Sequence, residues 1–308
     1  MVRTALALVA GLSVSAAALA QDEAQDAAPT QPATGSQPSS DRVVVTGRPL
    51  EELVREFVGE VADPVSSNFG IARWDGRVCV GVENLPAEAA QYVVDRISEV
   101  ALEVGLTPGE PGCRPEIAIV FTTDGKALAS FLAKEEPRVF RPFGGAGGTT
   151  QGLHALDDFV SSDAPVRWWQ ISMPVDEAGN VAIAIPGEPA PMVRGSNSRI
   201  HSSIRDELWA AVVIVDVARA EGATFAQMAD YLAMVTLAQI DPGADPSGFD
   251  SILNLFPEPE GGAGRLTDWD KSYLKALYDF DQHRVPGLQI GQISRSMVDD
   301  QRAGEDAE

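Results

Sequence analysis

An α/β or α+β fold, with a central sheet and flanking helices, is predicted because strand-length apolar runs alternate with amphipathic helical segments along the chain. The clearest instance is residues 209–241, WAAVVIVDVARAEGATFAQMADYLAMVTLAQID. Val212, Val213, Ile214, Val215 and Val217 form a β-branched run, broken by Asp216, that is too short for a helix. It reads as a strand buried on both faces. Gly222 breaks the pattern, and Thr224 is a natural N-cap for a helix starting at Phe225. Phe225, Met228, Ala229, Leu232, Val235, Leu237 and Ile240 then recur at three- and four-residue spacing, one face of a helix closed by Asp241-Pro242-Gly243.

The elements before this stretch obey the same logic. PLEELVREFVGEV reads as a first helix with Leu50, Leu53, Val54, Phe57 and Val58 on one face. RVCVGVE is a strand, and a long helix runs from Pro86 through Val104, ended by Gly105. EIAIVF is the next strand, and Asp124 caps a helix that ends near Lys134. VRWWQISMPV alternates as a strand that puts Trp168 and Trp169 on opposite faces, one in the core and the other free to line a groove. DEAGNVAIAIPG turns back as a hairpin around Gly179-Asn180, and NSRIHSSI is a further short strand. After the organising helix come SILNLF and LTDWDKSYLKALYDFD, the latter capped by Thr267 with Asp268 and Asp270 in its first turn.

Segment 1–20 combines one Arg, an apolar run and the small-x-small end Ala18-Leu19-Ala20, a secretory signal cut before Gln21. No Cys lies near that point to carry a lipid, and no later segment reaches about 18 uninterrupted apolar residues, so no membrane insertion is expected after cleavage. The expected location is periplasmic or secreted. Residues 21–48 form a disordered leader rich in Ala, Gln, Pro and Ser. The leader closes on DRVVVTGRP, which looks like a segment near the mature start of many exported alphaproteobacterial proteins and reads here as an edge strand or tether. Residues 49–290 form a single globular domain, divisible into lobes at 49–150 and 151–290, and 291–308 is a disordered tail. The formal net charge is −22, and losing segment 1–20 makes it one unit more negative. Nucleic acid, which demands a basic face, is thereby disfavoured, whereas cationic partners remain open. Cys79 and Cys113 are the chain's two cysteines. In an exported protein they read as a disulfide stapling neighbouring strands, worth roughly 3–4 kcal/mol by loop-closure entropy.

The order strand, helix, SILNLF, LTDWDKSYLKALY resembles the C-terminal half of a zincin-type metalloprotease domain. It is most similar to uncharacterised secreted zincin-like proteins of proteobacteria. In zincins a zinc-binding helix precedes an acidic turn, a short Ser-Ile segment and a closing helix with an early aspartate. Aligning that helix here puts Asp230, Tyr231 and Met234 where His, Glu and His would stand, so the HExxH motif is absent. A tyrosine is a poor general base and a thioether is unsuited to catalytic zinc. The resemblance therefore implies a scaffold kept and a metal lost. A strand at 166–175 would edge the old substrate cleft, which makes Trp168, Trp169, Asp230, Tyr231 and Met234 a candidate groove. Tyr231→Ala is expected to weaken binding there without unfolding the protein.

Other chemistries lack a signature. His154, His201 and His283 are the three histidines, none near another in sequence, and isolated surface or satisfied imidazoles are the expectation. Gly144, Gly145, Gly147 and Gly148 lack the GxGxxG order and a following Lys-Ser/Thr, and read as a surface loop or flap. Asp241, Asp245 and Asp250 miss the EF-hand spacing for calcium, and Ser202-Ser203 carries no GxSxG elbow. No catalytic residue, cofactor or metal is assigned. The expectation is a non-enzymatic protein that binds a peptide or envelope partner, with a hydrolase using a nonlocal site as the alternative.

Overall fold

A computed structural model describes residues 47–63, 70–140, 154–183, 198–256 and 263–305. Segment 1–20, nearly all of the leader and the glycine-rich stretch at 144–148 lie outside the described residues. Gly47–Glu308 form one compact unit. Its centre is a four-stranded sheet in the order β2 (Val80–Glu83), β4 (Ile117–Thr122), β6 (Ile204–Asp216), β5 (Val166–Asp176). β2, β4 and β6 run parallel, and β5 pairs antiparallel with β6 at the edge. Strands β1 (Arg77–Val78) and β3 (Thr107–Pro108) make a separate parallel pair.

Helices cover both faces. α2 (Ala87–Glu103) and α6 (Phe225–Leu237) lie on one, burying Val93, Ile97 and Leu232 with Val213 and Val215 of β6. On the other, α3 (Gly125–Glu135), α4 (Pro137–Phe140) and α5 (Ala155–Ser161) bury Ala129, Phe140 and Phe159 against Trp169 and Ile214. Val213, Ile214 and Val215 are fully buried for the expected reason, since β6 is an interior strand with a helix layer on each face, whereas Val212 is half-buried and Val217, past the strand's end, is exposed. α1 (Leu50–Val61), α7 (Asp268–Asp279) and α8 (Pro286–Glu305) complete the larger core through Phe57, Tyr273 and Met297. Among the described residues, no helix is long and apolar enough to cross a membrane.

The capping chemistry is local and as written in the sequence. Asp124 accepts from Ala127 N, Thr224 and Gln227 form a capping box on α6, and Thr267 and Asp270 form another on α7. Gly222 holds φ +96° in the turn between β6 and α6, a conformation that L side chains rarely adopt. The Cys79–Cys113 disulfide is present, with Cα atoms 6.1 Å apart. It joins the β1–β2 junction to the segment before β4, where Glu116 N and Ile117 N both donate to Cys79 O at 3.0 Å.

Three regions differ from expectation. The short strand read at NSRIHSSI is, among its described residues, only an isolated bridge at His201, and β6 begins at Ile204, eight residues ahead of Val212. Residues 155–161, read as no element, form α5. The expected disordered tail at 291–308 is instead mostly α8, which packs against α1 and α7 and buries Ile293, Met297 and Val298. The three glycines in α8 cost roughly 1 kcal/mol each as helix residues. Burial of that apolar stripe outweighs them.

Candidate functional site

The C-terminal end of α6 is built into the interior, so the carbonyls its last turn leaves without helical partners must be satisfied by side chains. Trp74 Nε1 donates to Thr236 O at 2.7 Å, and Tyr278 Oη donates to Leu237 O at 2.7 Å. Gln170 Nε2 reaches Val235 O at 3.0 Å and Ala238 O at 2.8 Å. Just beyond the helix, Trp168 Nε1 donates to Ile240 O at 2.9 Å. The helix is therefore bolted to β5 by two side chains from the same face of that strand, which fixes Trp168 beside Tyr231 at a ring-centroid distance of 6.4 Å.

This arrangement divides the five groove residues read from the sequence. Trp168 and Tyr231 meet, together with Phe256, whose ring lies 5.0 Å from that of Tyr231. Trp169 faces the opposite side of the sheet and is core, packed at tilted angles against Phe140 and Phe159, so both tryptophans are buried, and Trp168 borders a cavity. Met234 is fully buried in the main core. Asp230 points towards α2, where it pairs with Arg96 and accepts from Leu266 N at 2.9 Å. It ties α6 to α2 and, with Arg96, lines a separate cavity of about 310 Å³ away from Trp168. Tyr231 itself is 6 % exposed and belongs to the main core, so Tyr231→Ala removes packing as well as any binding wall. Burial pushes its phenol well above the ordinary pKa, so it stays protonated and offers no base at neutral pH.

Beside Trp168 and Tyr231 lies a cavity of about 330 Å³ walled by Ile240, Pro242, Leu253 and Phe256. A second, of about 540 Å³, adjoins it and shares Val166, Trp168 and Asp241. Its wall carries three acids, Asp63, Asp158 and Asp241, against one cation, Arg167. Arg167 is itself buried, donates to Phe159 O at 3.2 Å, and among the described residues has no hydrogen-bond partner at Nε or Nη2.

Both cavities lie along the outer edge of β5. Asp216 N donates to Pro165 O at 2.8 Å, which places Arg167 and Trp169 in hydrogen-bonded pairs with β6. The backbone groups of Val166, Trp168 and Gln170 consequently face away from β6. Among the described residues that edge is paired at its far end, where Val175 bridges Val181 and Ala182 N donates to Pro174 O at 2.8 Å.

The expectation of isolated histidines holds for His154, at the start of α5, and fails for the other two. His201 and His283 stack with centroids 5.3 Å apart and planes inclined by 20°. Glu177 Oε1 lies 3.6 Å from His201 Nε2. Sequence offered no signal for this meeting, because it depends on the segment ahead of β6 pairing with the turn between α7 and α8. The aspartates at 241, 245 and 250 do not converge on an ion-sized space: Asp241 accepts from Gly243 N at 2.8 Å and Asp245 from Ser247 N at 3.1 Å, each ordering its own turn. No protein-family model matches the sequence, and comparison with curated proteins and with solved structures yields no match.

Proposed function

We propose that this chain is an exported, non-enzymatic binding protein whose groove beside β5 takes an extended, basic peptide with an apolar anchor residue. The observation that carries the reading is the conjunction of an edge strand with outward backbone groups and a cavity walled by Trp168, Tyr231 and Phe256. The cavity would take one apolar side chain of the peptide, whose backbone would run beside the edge of β5. The three aspartates of the adjoining cavity and the chain's net charge of −22 favour a cationic partner over an acidic one or nucleic acid. On this reading the domain is zincin-like with its metal helix converted to core. Asp230 is neutralised by Arg96, Tyr231 is desolvated and Met234 is packed, which leaves α6 no ligand set.

The test is fluorescence anisotropy with extended peptides that carry Lys or Arg on both sides of a Leu or Phe. Saturable binding that weakens as salt rises is expected. Phe256→Ala, at the half-buried lip of the cavity, should weaken it about ten-fold or more with native circular dichroism retained. No saturable binding, or equal binding of acidic peptides, would sink the proposal. Cleavage of the peptides would favour the hydrolase reading with a nonlocal site.

A further inference from the structure

Glu177, His201 and His283 come from three separated segments: the turn after β5, the stretch before β6 and the turn between α7 and α8. One donor atom from each lies within 4.8 Å of the other two. We propose that these three residues form a zinc site.

Three independent features support the assignment. The first is the donor set. Two imidazoles and a carboxylate suit borderline ions such as Zn²⁺, and are poorly matched to Mg²⁺ or Ca²⁺, which prefer oxygen ligands alone. Tetrahedral zinc with bonds of about 2.1 Å holds its ligand atoms roughly 3.4 Å apart. The His201–Glu177 separation of 3.6 Å is already close to that spacing, so rotamer adjustment of exposed side chains is enough to close the set.

The second feature is the orientation of His283. Its Nδ1 sits 3.1 Å from Ser202 O, an acceptor only, so Nδ1 carries the proton and donates it there. The lone pair is left on Nε2. A backbone carbonyl holding the far nitrogen of a ligating imidazole is the usual outer support of a zinc ligand, fixing both tautomer and ring plane.

The third feature is preorganisation. His201 is bridged antiparallel to Arg284, and Ser202 N donates to His283 O at 2.6 Å, so two ligands are set by main-chain pairing rather than by side-chain packing. The turn that carries Glu177 is held by Asp176, whose Oδ1 accepts from Ala178 N at 2.9 Å and Asn180 N at 2.8 Å. Asp176 is thereby committed to the turn, and Glu177 is left to face His201.

Three protein ligands leave a fourth position for water or for a side chain of a partner. The site lies beyond the last residue of β5. The eleven residues from Val166 to Asp176 span about 35 Å at the usual strand rise, so it is remote from the Trp168 end and independent of the peptide-binding proposal. Its effect on this chain would be to clamp the three segments together.

The experiment is calorimetric titration of ZnCl₂ into the untagged full-length chain after chelator treatment. One zinc per chain is expected. Glu177→Gln, His201→Ala and His283→Ala should each weaken binding at least about ten-fold, the scale on which even outer-shell losses act. His154→Ala should change nothing. In parallel, zinc should shift the ring-proton resonances of two of the three histidines in the unsubstituted protein, a readout that does not depend on any variant folding. Absence of saturable binding, binding unchanged by all three substitutions, or resonances that shift for His154 instead would overturn the assignment.

Discussion

At its first residues β5 runs beside the end of α6, and at its last it runs into an open turn; the polar groups at the two ends are handled in opposite ways. Near α6, Gln170, Trp168, Trp74 and Tyr278 occupy the terminal carbonyls, and on the same helix Asp230 is held by a cation and a backbone amide. The polar groups there are committed to holding the fold. Past Asp176, Glu177 and His201 are exposed, and among the described residues their side chains meet each other and His283. A buried polar group must find a partner or cost the fold its desolvation free energy, whereas an exposed one keeps water and remains available to a ligand. The groove positions read on α6 are therefore structural, and the exposed groups with free ligand atoms lie where no motif pointed.

Removing Asp230 is the severest test of that contrast. Asp230→Ala strands Leu266 N and leaves Arg96, three-quarters covered, with the exposed Glu99 in place of a buried carboxylate partner. A loss of about 3–5 kcal/mol in urea-unfolding stability is expected, the usual cost of breaking a buried pair from one side. A loss below about 1 kcal/mol would mean that Asp230 is not a structural tie, and the α6 positions would again be open to a functional role.

Asp206 sharpens the comparison because it is buried with weaker compensation. It accepts from Gly70 N at 2.7 Å and among the described residues pairs with no cation, and burial raises its pKa from 3.8 to about 6. With the folded value above the unfolded one, the native state binds the extra proton between these values. Its contribution is therefore most favourable below about pH 4 and is lost as pH rises through about 6, costing of order 3 kcal/mol once ionised. Denaturation midpoints measured from pH 4 to pH 7 should fall across this window. Asp206→Asn should flatten that part of the profile while keeping an acceptor for Gly70 N. An unchanged slope in the variant would show that another group titrates.

The range of the forces involved decides how much of the molecule was legible in the sequence. The run Val212–Val217, the stripe from Phe225 and the caps Thr224 and Thr267 were readable because periodicity and capping are local. The first half of β6 was not, since Arg205, Asp206 and Glu207 read as surface until Arg205 pairs with Glu207 and Asp206 meets Gly70. α8 was missed because its glycines and polar residues mask a stripe that gains its value only against α1 and α7. At the site, the Trp168–Tyr231 meeting was half-visible: strand alternation split Trp168 from Trp169, and Tyr231 was singled out by the resemblance alone. The roles of Asp230 and His201 were invisible, because each is decided by partners far away in sequence.

The smallest expected effect falls at the open turn. In the presence of a chelator, Glu177→Gln and His201→Ala should each change stability by no more than about 0.5 kcal/mol, as for surface positions generally. His201 and Glu177 are 44 % and 64 % exposed at the side chain and 3.6 Å apart, a geometry in which an ion pair contributes about 0–1 kcal/mol. The main-chain links that place His201 and His283 do not depend on either side chain. A loss above about 1.5 kcal/mol in thermal or urea denaturation would make the cluster a packing element like the end of α6, and the contrast between the two ends would fail. Silence without metal, joined to a rise in melting temperature with zinc in the unsubstituted chain alone, would place the stabilising free energy in the ligand, because an ion that binds the folded state alone raises stability with the logarithm of its free concentration relative to Kd.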